Sequence, residues 1–92
     1  MNYVIIYPDE MRAESLACYG HPTVKTPNID QLAKEGTLFE NNYTAHPVCV
    51  ASRCSLVTGW YPHVRGYRSQ LNLMPDTEFN FISELNEQGW TT

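Results

Sequence analysis

The sequence predicts an α/β domain with a mostly parallel sheet, and three observations carry that prediction. Residues 2–7, NYVIIY, are a nearly unbroken β-branched and aromatic run with no polar/apolar alternation. This is the pattern of a strand buried on both faces. Two later segments, TPNIDQLAKEG and DTEFNFISELNEQG, carry helix frames with start and stop signals. Between them TLFENNYTA, residues 37–45, has the composition of a short strand, so strands and helices alternate along the chain.

Taken in order, Pro8 ends the first strand and Asp9 and Glu10 follow it directly. Both carboxylates are thereby expected at the strand's C-terminal end, the ligand-binding end of open α/β sheets. Residues 11–25 are expected to be irregular, with Gly20, His21 and Pro22 as turn punctuation. In the first helix frame Thr26 is the expected cap and Pro27 the first helical residue. Ile29, Leu32 and Ala33 share a face, and Gly36 ends the helix. A further helix is expected from near Ala51 or Ser52 to about Trp60, followed by a loop-rich stretch over 61–77 containing Pro62, Gly66 and Pro75. The last frame places Asp76 or Thr77 at the cap, Phe79, Ile82 and Leu85 on one face, and Gly89 at the stop. WTT follows at once, where the alternation calls for another strand. Residues 1–92 are therefore expected to be the opening portion of a larger α/β domain.

Composition narrows the class. With 42% hydrophobic, 12% aromatic and 17% charged residues the chain is globular in character. Six Lys and Arg against a net charge of −4 argue against a nucleic-acid partner or an anionic membrane, which both require basic patches. Three cysteines cannot all pair internally, which suits a reducing compartment. MNYVIIYPDE lacks the basic n-region of a signal peptide, so the expected location is cytoplasmic. No segment approaches the roughly 20 apolar residues of a membrane span. NYT at Asn42 matches a glycosylation sequon, a pattern too short to carry weight.

The stretch HPVCVASRCSLVTG, residues 46–59, concentrates the chemistry. Cys49 and Cys54 are too far apart for a C-x-x-C redox or zinc pair, and no histidine spacing completes a metal site around them. The chain holds no P-loop, no G-x-G-x-x-G, no H-E-x-x-H and no G-x-S-x-G. A C-x5-R phosphatase loop fails as well, because the sixth residue after Cys49 is Ser55 and after Cys54 is Trp60. What is left is a cysteine at the mouth of a helix, with Arg53 one turn on and the small residues Ala51 and Ser52 between. Singly, each has an ordinary reading: Cys49 a structural thiol, Asp9 a turn residue, Arg53 a surface charge.

Together they have another. CVASRCSLVTG resembles the sulfatase signature C-x-P-S-R-x-x-apolar-apolar-T-G, and the resemblance extends over nearly the whole chain. Sulfatases typically open with an apolar strand followed by Asp-Asp or Asp-Gln, where this chain has Asp9-Glu10. They continue with the pattern TPNIDxLAxEG, an aromatic strand, the cysteine motif and TGxYPHxxG. The chain has TPNIDQLAKEG, TLFENNYTA and TGWYPHVRG in that order.

The resemblance implies an alkaline-phosphatase-like α/β/α sandwich and hydrolysis of a sulfate ester. It implies that Cys49 is oxidised to formylglycine, whose hydrate is a geminal diol. One diol oxygen attacks sulfur and the other expels sulfate, an exit that a plain serine lacks. It implies a divalent metal, Ca²⁺ before Mg²⁺, held by the hard oxygens of Asp9 and Glu10 and by the group formed from Cys49. Arg53 is then a fixed cation that steadies the diol and the metal carboxylates, and the helix N-terminus adds partial positive charge. The small residues at 51 and 52 keep the turn tight and let substrate approach.

Two positions depart from the family pattern. Ala51 stands for the usual proline, so the partner expected for maturation is an enzyme reading C-x-A-x-R, resembling systems of anaerobic bacteria. Glu10 stands for the usual Asp or Gln. The expected substrate is a small-molecule or carbohydrate sulfate ester. A phosphonate monoesterase or phosphodiesterase of the same fold, and an unmatured binding relative, are the rival readings. The lysine and histidines that handle sulfate and the leaving group are expected beyond residue 92. Cys18 and Cys54 are expected to be structural thiols, Trp60 and Tyr61 to pack in the core, and Ser52 to cap its helix rather than act as nucleophile. His46 and His63 are secondary candidates for lining the pocket.

Overall fold

The computed structural model describes residues 2–92 and divides the chain into two compact units, Met1–Asn42 and Tyr43–Thr92. Each is built from helices and turns, and no β-strand forms among the described residues.

In the first unit, residues 2–8 have no regular secondary structure, and neither does the expected second strand from residue 37 on. The strand expectations over 2–7 and 37–45, and with them the sheet, are not met. The reason is physical. A strand exists through ladder hydrogen bonds to a neighbour, and neither segment has such a ladder here. Tyr3, Val4, Ile5 and Ile6 are 76, 83, 65 and 79% exposed. Their apolar side chains follow one another without alternation, so a strand here requires cover on both sides, and the segment is largely exposed instead.

Residues 11–25 do contain short regular pieces, two 3-10 turns at Ala13–Ser15 and Ala17–Tyr19. The second ends at Gly20, whose φ of 91° suits a residue without a Cβ. Helix α1 spans Pro27–Glu35, as its sequence frame predicts, with Pro27 in its first turn. Thr26 precedes it, but its hydroxyl does not cap the helix. Instead Thr26 Oγ1 accepts from Ala17 N at 3.1 Å and donates to Asp30 Oδ1 at 2.8 Å, while Asp30 Oδ1 also accepts from Cys18 N at 2.9 Å. The polar start of α1 thus satisfies the orphan amides of the neighbouring 3-10 turn. Leu16 is buried at this junction.

The second unit holds α2 (Cys49–Thr58), α3 (Pro62–Arg65) and α4 (Phe81–Glu87), with α2 touching both others. Helix α2 starts two or three residues before its expected position and is closed by Gly59, φ 74°. It buries Ala51, Cys54 and Thr58, which share a face at helical spacing. Thr58 Oγ1 donates to the Cys54 carbonyl at 2.7 Å, which satisfies this buried hydroxyl inside its own helix. The stretch expected to be loop-rich contains α3, which Pro62 opens and Gly66 closes.

Helix α4 begins later than its frame predicts. Asn80, not Asp76 or Thr77, is the cap: its backbone is extended and its Oδ1 accepts from Ser83 N at 2.9 Å. Phe79 consequently lies outside the helix, 60% exposed. Between α3 and α4, Tyr67 is buried and its hydroxyl donates to Glu78 Oε2, while Glu78 Oε1 lies 3.7 Å from Arg65 Nε.

Candidate functional site

Cys49 is the first residue of α2 and is exposed. The first intrahelical bond runs from Ser52 N to Val48 O at 2.8 Å. The amides of residues 49, 50 and 51 therefore lie ahead of the ladder and have no intrahelical acceptor. These N–H groups and the helix dipole favour negative charge beside residue 49. Arg53 follows four positions on, so it lies on the same face one turn along, and it is exposed.

The approach to α2 is stitched by hydroxyl and imidazole contacts. Thr44 Oγ1 donates to the His46 carbonyl at 3.0 Å and lies 2.8 Å from Ser52 Oγ. His46 Nδ1 accepts from Val48 N at 3.2 Å. His46 thus shapes the entry to the helix through its Nδ1. Ser52 does not cap α2, since Val48 holds that position, and its hydroxyl ties the first turn to Thr44 instead.

Three further expectations change. Ala51 is fully buried, so its small size serves packing inside the unit and not the approach of substrate. Trp60 and Tyr61 are 43 and 63% exposed and do not pack in the core. The Arg65 guanidinium lies 4.7 Å over the Trp60 ring, and Tyr61 stacks on His63 with centroids 5.8 Å apart. His63 is thereby engaged within the first turn of α3. Cys54 meets its expectation: it is buried, and burial pushes its thiol above the usual range. Cys18 is half-buried.

Asp9 and Glu10 lie in the first unit, in a bend directly after Pro8. Glu10 has φ 53°, in the left-handed region, which costs a residue with a Cβ on the order of 1–2 kcal/mol. Asp and Asn tolerate that region better than Glu does. The two carboxylates are hard oxygen donors of the kind that suits Ca²⁺ or Mg²⁺. Among the described residues, however, no group of three or more His, Cys, Asp or Glu side chains gathers to hold a metal ion. Donor chemistry therefore fits such a cation, while donor number falls short of a closed shell.

One residue near Cys49 escapes the sequence pattern. Gln70 Nε2 donates to Cys49 Sγ at 3.5 Å, across 21 positions of chain. Neither spacing nor residue type marks Gln70 in advance. The only local sign is the turn chemistry of Ser69-x-x-Asn72, which gives no hint of what the turn faces.

Comparison with known proteins bears on the family of the chain. The sulfatase family model matches residues 1–92. An arylsulfatase of Clostridium perfringens is 50% identical over 94 residues, covering 99% of this chain and 19% of that protein. Steryl-sulfatase of Rattus norvegicus is 35% identical over 102 residues, covering 99% of this chain and 18% of its own length. An ulvan-active sulfatase of Formosa agariphila is 37% identical over 91 residues, with 99 and 18% covered. The chain thus spans less than a fifth of the curated relatives it matches. No solved structure matches it. With a cysteine opening α2, an arginine one turn on and a family match over the full 92 residues, the chain belongs to the sulfatase family.

Proposed function

We propose that these residues are the N-terminal segment of a single sulfatase catalytic domain, and that the protein hydrolyses sulfate esters through residue 49. The observation that carries this reading is Cys49, exposed at the N-terminus of α2 with Arg53 one turn along the same face. A nucleophile for a sulfate ester must meet an anion, and residue 49 sits where orphan amides and the helix dipole favour one. Arg53 adds a permanent charge and a planar set of donors. Converted to formylglycine, residue 49 would supply a hydrated aldehyde as nucleophile, and a divalent cation would supply Lewis acidity. Asp9 and Glu10 would contribute oxygen ligands to that cation, Ca²⁺ before Mg²⁺, with further donors from elsewhere in the protein.

The fold proposed for the whole domain is the α/β/α sandwich of the alkaline-phosphatase type. Its support is the run Tyr3 to Tyr7, apolar on both faces and exposed here, which suits a central strand of a parallel sheet. The proposed substrate is a small-molecule or carbohydrate sulfate ester. The proposed maturation partner is an enzyme reading C-x-A-x-R.

The test is peptide mass spectrometry across Cys49 on the full-length protein from its native host, together with sulfate release from a panel of esters. We expect formylglycine at residue 49, hydrazide labelling of the same peptide, and loss of both aldehyde and activity in Cys49→Ala. Chelation should abolish turnover and added Ca²⁺ restore it. Cysteine unmodified in every copy would remove this mechanism. Turnover of phosphonate or phosphodiester substrates in preference to sulfates would reassign the substrate class.

A further inference from the structure

We propose that Gln70 is a positioning residue for side chain 49, holding it in one rotamer from a turn built for that purpose; this rests on the functional reading above. The side chain of Cys49 is exposed at a helix start, where packing alone does not fix its χ1. Gln70 Nε2 reaches Sγ at 3.5 Å, within the range of a sulfur-accepting hydrogen bond.

Gln70 is itself held. Residues 69–72 close a turn through Asn72 N to Ser69 O at 3.2 Å, with Ser69 Oγ to Asn72 Oδ1 at 2.7 Å and Leu71 N to Ser69 Oγ at 3.2 Å. Gln70 is the second residue of that turn. On its N-terminal side the backbone is tied by Arg68 N to Gly66 O at 2.9 Å and by Arg68 Nη2 to the His63 carbonyl at 3.2 Å. Tyr67 is buried next to these, bonded to Glu78. A loop carrying this many local bonds aims a side chain more reproducibly than a free one.

The chemistry of an amide suits the task. It is neutral over the whole working pH range, so it neither repels a sulfate anion nor competes for a metal as a carboxylate would. Its N–H can donate to sulfur before maturation and to an oxygen afterwards.

The test uses the full-length protein and three variants. Gln70→Met keeps the length and removes the donor. Gln70→Glu keeps the shape and can only accept. Gln70→His restores a donor, its ring Nε2–H reaching about as far. Gln70 is exposed, so none of these changes disturbs a core. In crystals of the unmatured protein, side chain 49 should occupy one rotamer in the wild type and in Gln70→His, and split between rotamers in Gln70→Met. In matured protein, kcat should fall about fivefold to tenfold in Gln70→Met and Gln70→Glu, the worth of one hydrogen bond, with KM nearly unchanged and partial recovery in Gln70→His. A single rotamer and wild-type kcat in Gln70→Met, in protein carrying the aldehyde, would overturn this inference alone. So would a change confined to KM, or one explained by lost aldehyde content. Wild-type protein without aldehyde would overturn the functional reading and this inference with it.

Discussion

Cys49 and Cys54 are five positions apart and chemically opposite. Cys49 opens α2 in solvent, while Cys54 is buried and its thiol is pushed up by that burial. The thiolate is the reacting form, so unmatured protein treated with iodoacetamide at mildly alkaline pH should alkylate at Cys49 at least about tenfold faster than at Cys54. Peptide mapping against time checks this, and equal rates would contradict the burial of Cys54. Tyr67 gives a second expectation at this scale. Its hydrogen bond to Glu78, then its burial, hold the phenol above its ordinary value of 10.0. A group raised in the folded state contributes stability that is complete below its unfolded pKa and is lost as pH rises through the folded value. The stability lost on going alkaline, beyond pH 10, should therefore shrink in Tyr67→Phe relative to wild type, as read from denaturant midpoints across that range.

Helix ends decide the next level. Asn80 caps α4 through Ser83 N, so Asn80→Ala should cost about 1 kcal/mol. Asp76→Ala and Thr77→Ala, at the positions the sequence frame favours, should stay within about 0.5 kcal/mol of wild type. Urea midpoints of the full-length variants separate the two assignments. Helix α2 carries a related test at Ala51, where the family pattern has proline. Ala51 is the third helical residue, so its amide has no intrahelical acceptor and a proline there forfeits no helix hydrogen bond. Its ring still adds two carbons to a fully buried site, against three for leucine, so Ala51→Pro should cost less than Ala51→Leu. Ala51→Leu forces extra carbons into a fully buried site and should cost about 1–3 kcal/mol. The same measurement serves both. The existence of α1, α2 and α4 was legible in the sequence because Pro27, Gly36, Gly59 and Gly89 punctuate them locally, whereas α3 lies in a stretch expected to be loop-rich. The start of α4 was not, because Asp76, Thr77 and Asn80 are all good caps and only the geometry of the chain before Phe81 selects one.

At the scale of the molecule the buried set among the described residues is small: Leu16 in one unit, and Ala51, Cys54, Thr58, Pro62 and Tyr67 in the other. Against it stand exposed Val4, Ile6, Phe39, Leu71 and Leu73. Hydrophobic burial is the main favourable term in folding, so the 92-residue chain by itself should melt broadly and bind ANS, as loosely packed states do. A sharp transition without dye binding would show that these residues complete a core of their own. No described helix is long and apolar enough to cross a membrane.

What the sequence by itself determined is local or carried by pattern. Proline and glycine stops delimit helices, and the motifs TPNIDQLAKEG, CVASRCSLVTG and TGWYPHVRG, in that order, mark the family and make Cys49 and Arg53 candidate site residues. A helix closes its hydrogen bonds within its own span, which is why such signals suffice. Only the tertiary structure decided that Ala51 faces inward, that Trp60 and Tyr61 lie at the surface, and that Gln70 meets Cys49 from 21 residues away. It also left residues 2–7 without a ladder. Contacts of that kind join residues distant along the chain, so no local spacing encodes them, and a strand acquires its structure only from the neighbour that pairs with it.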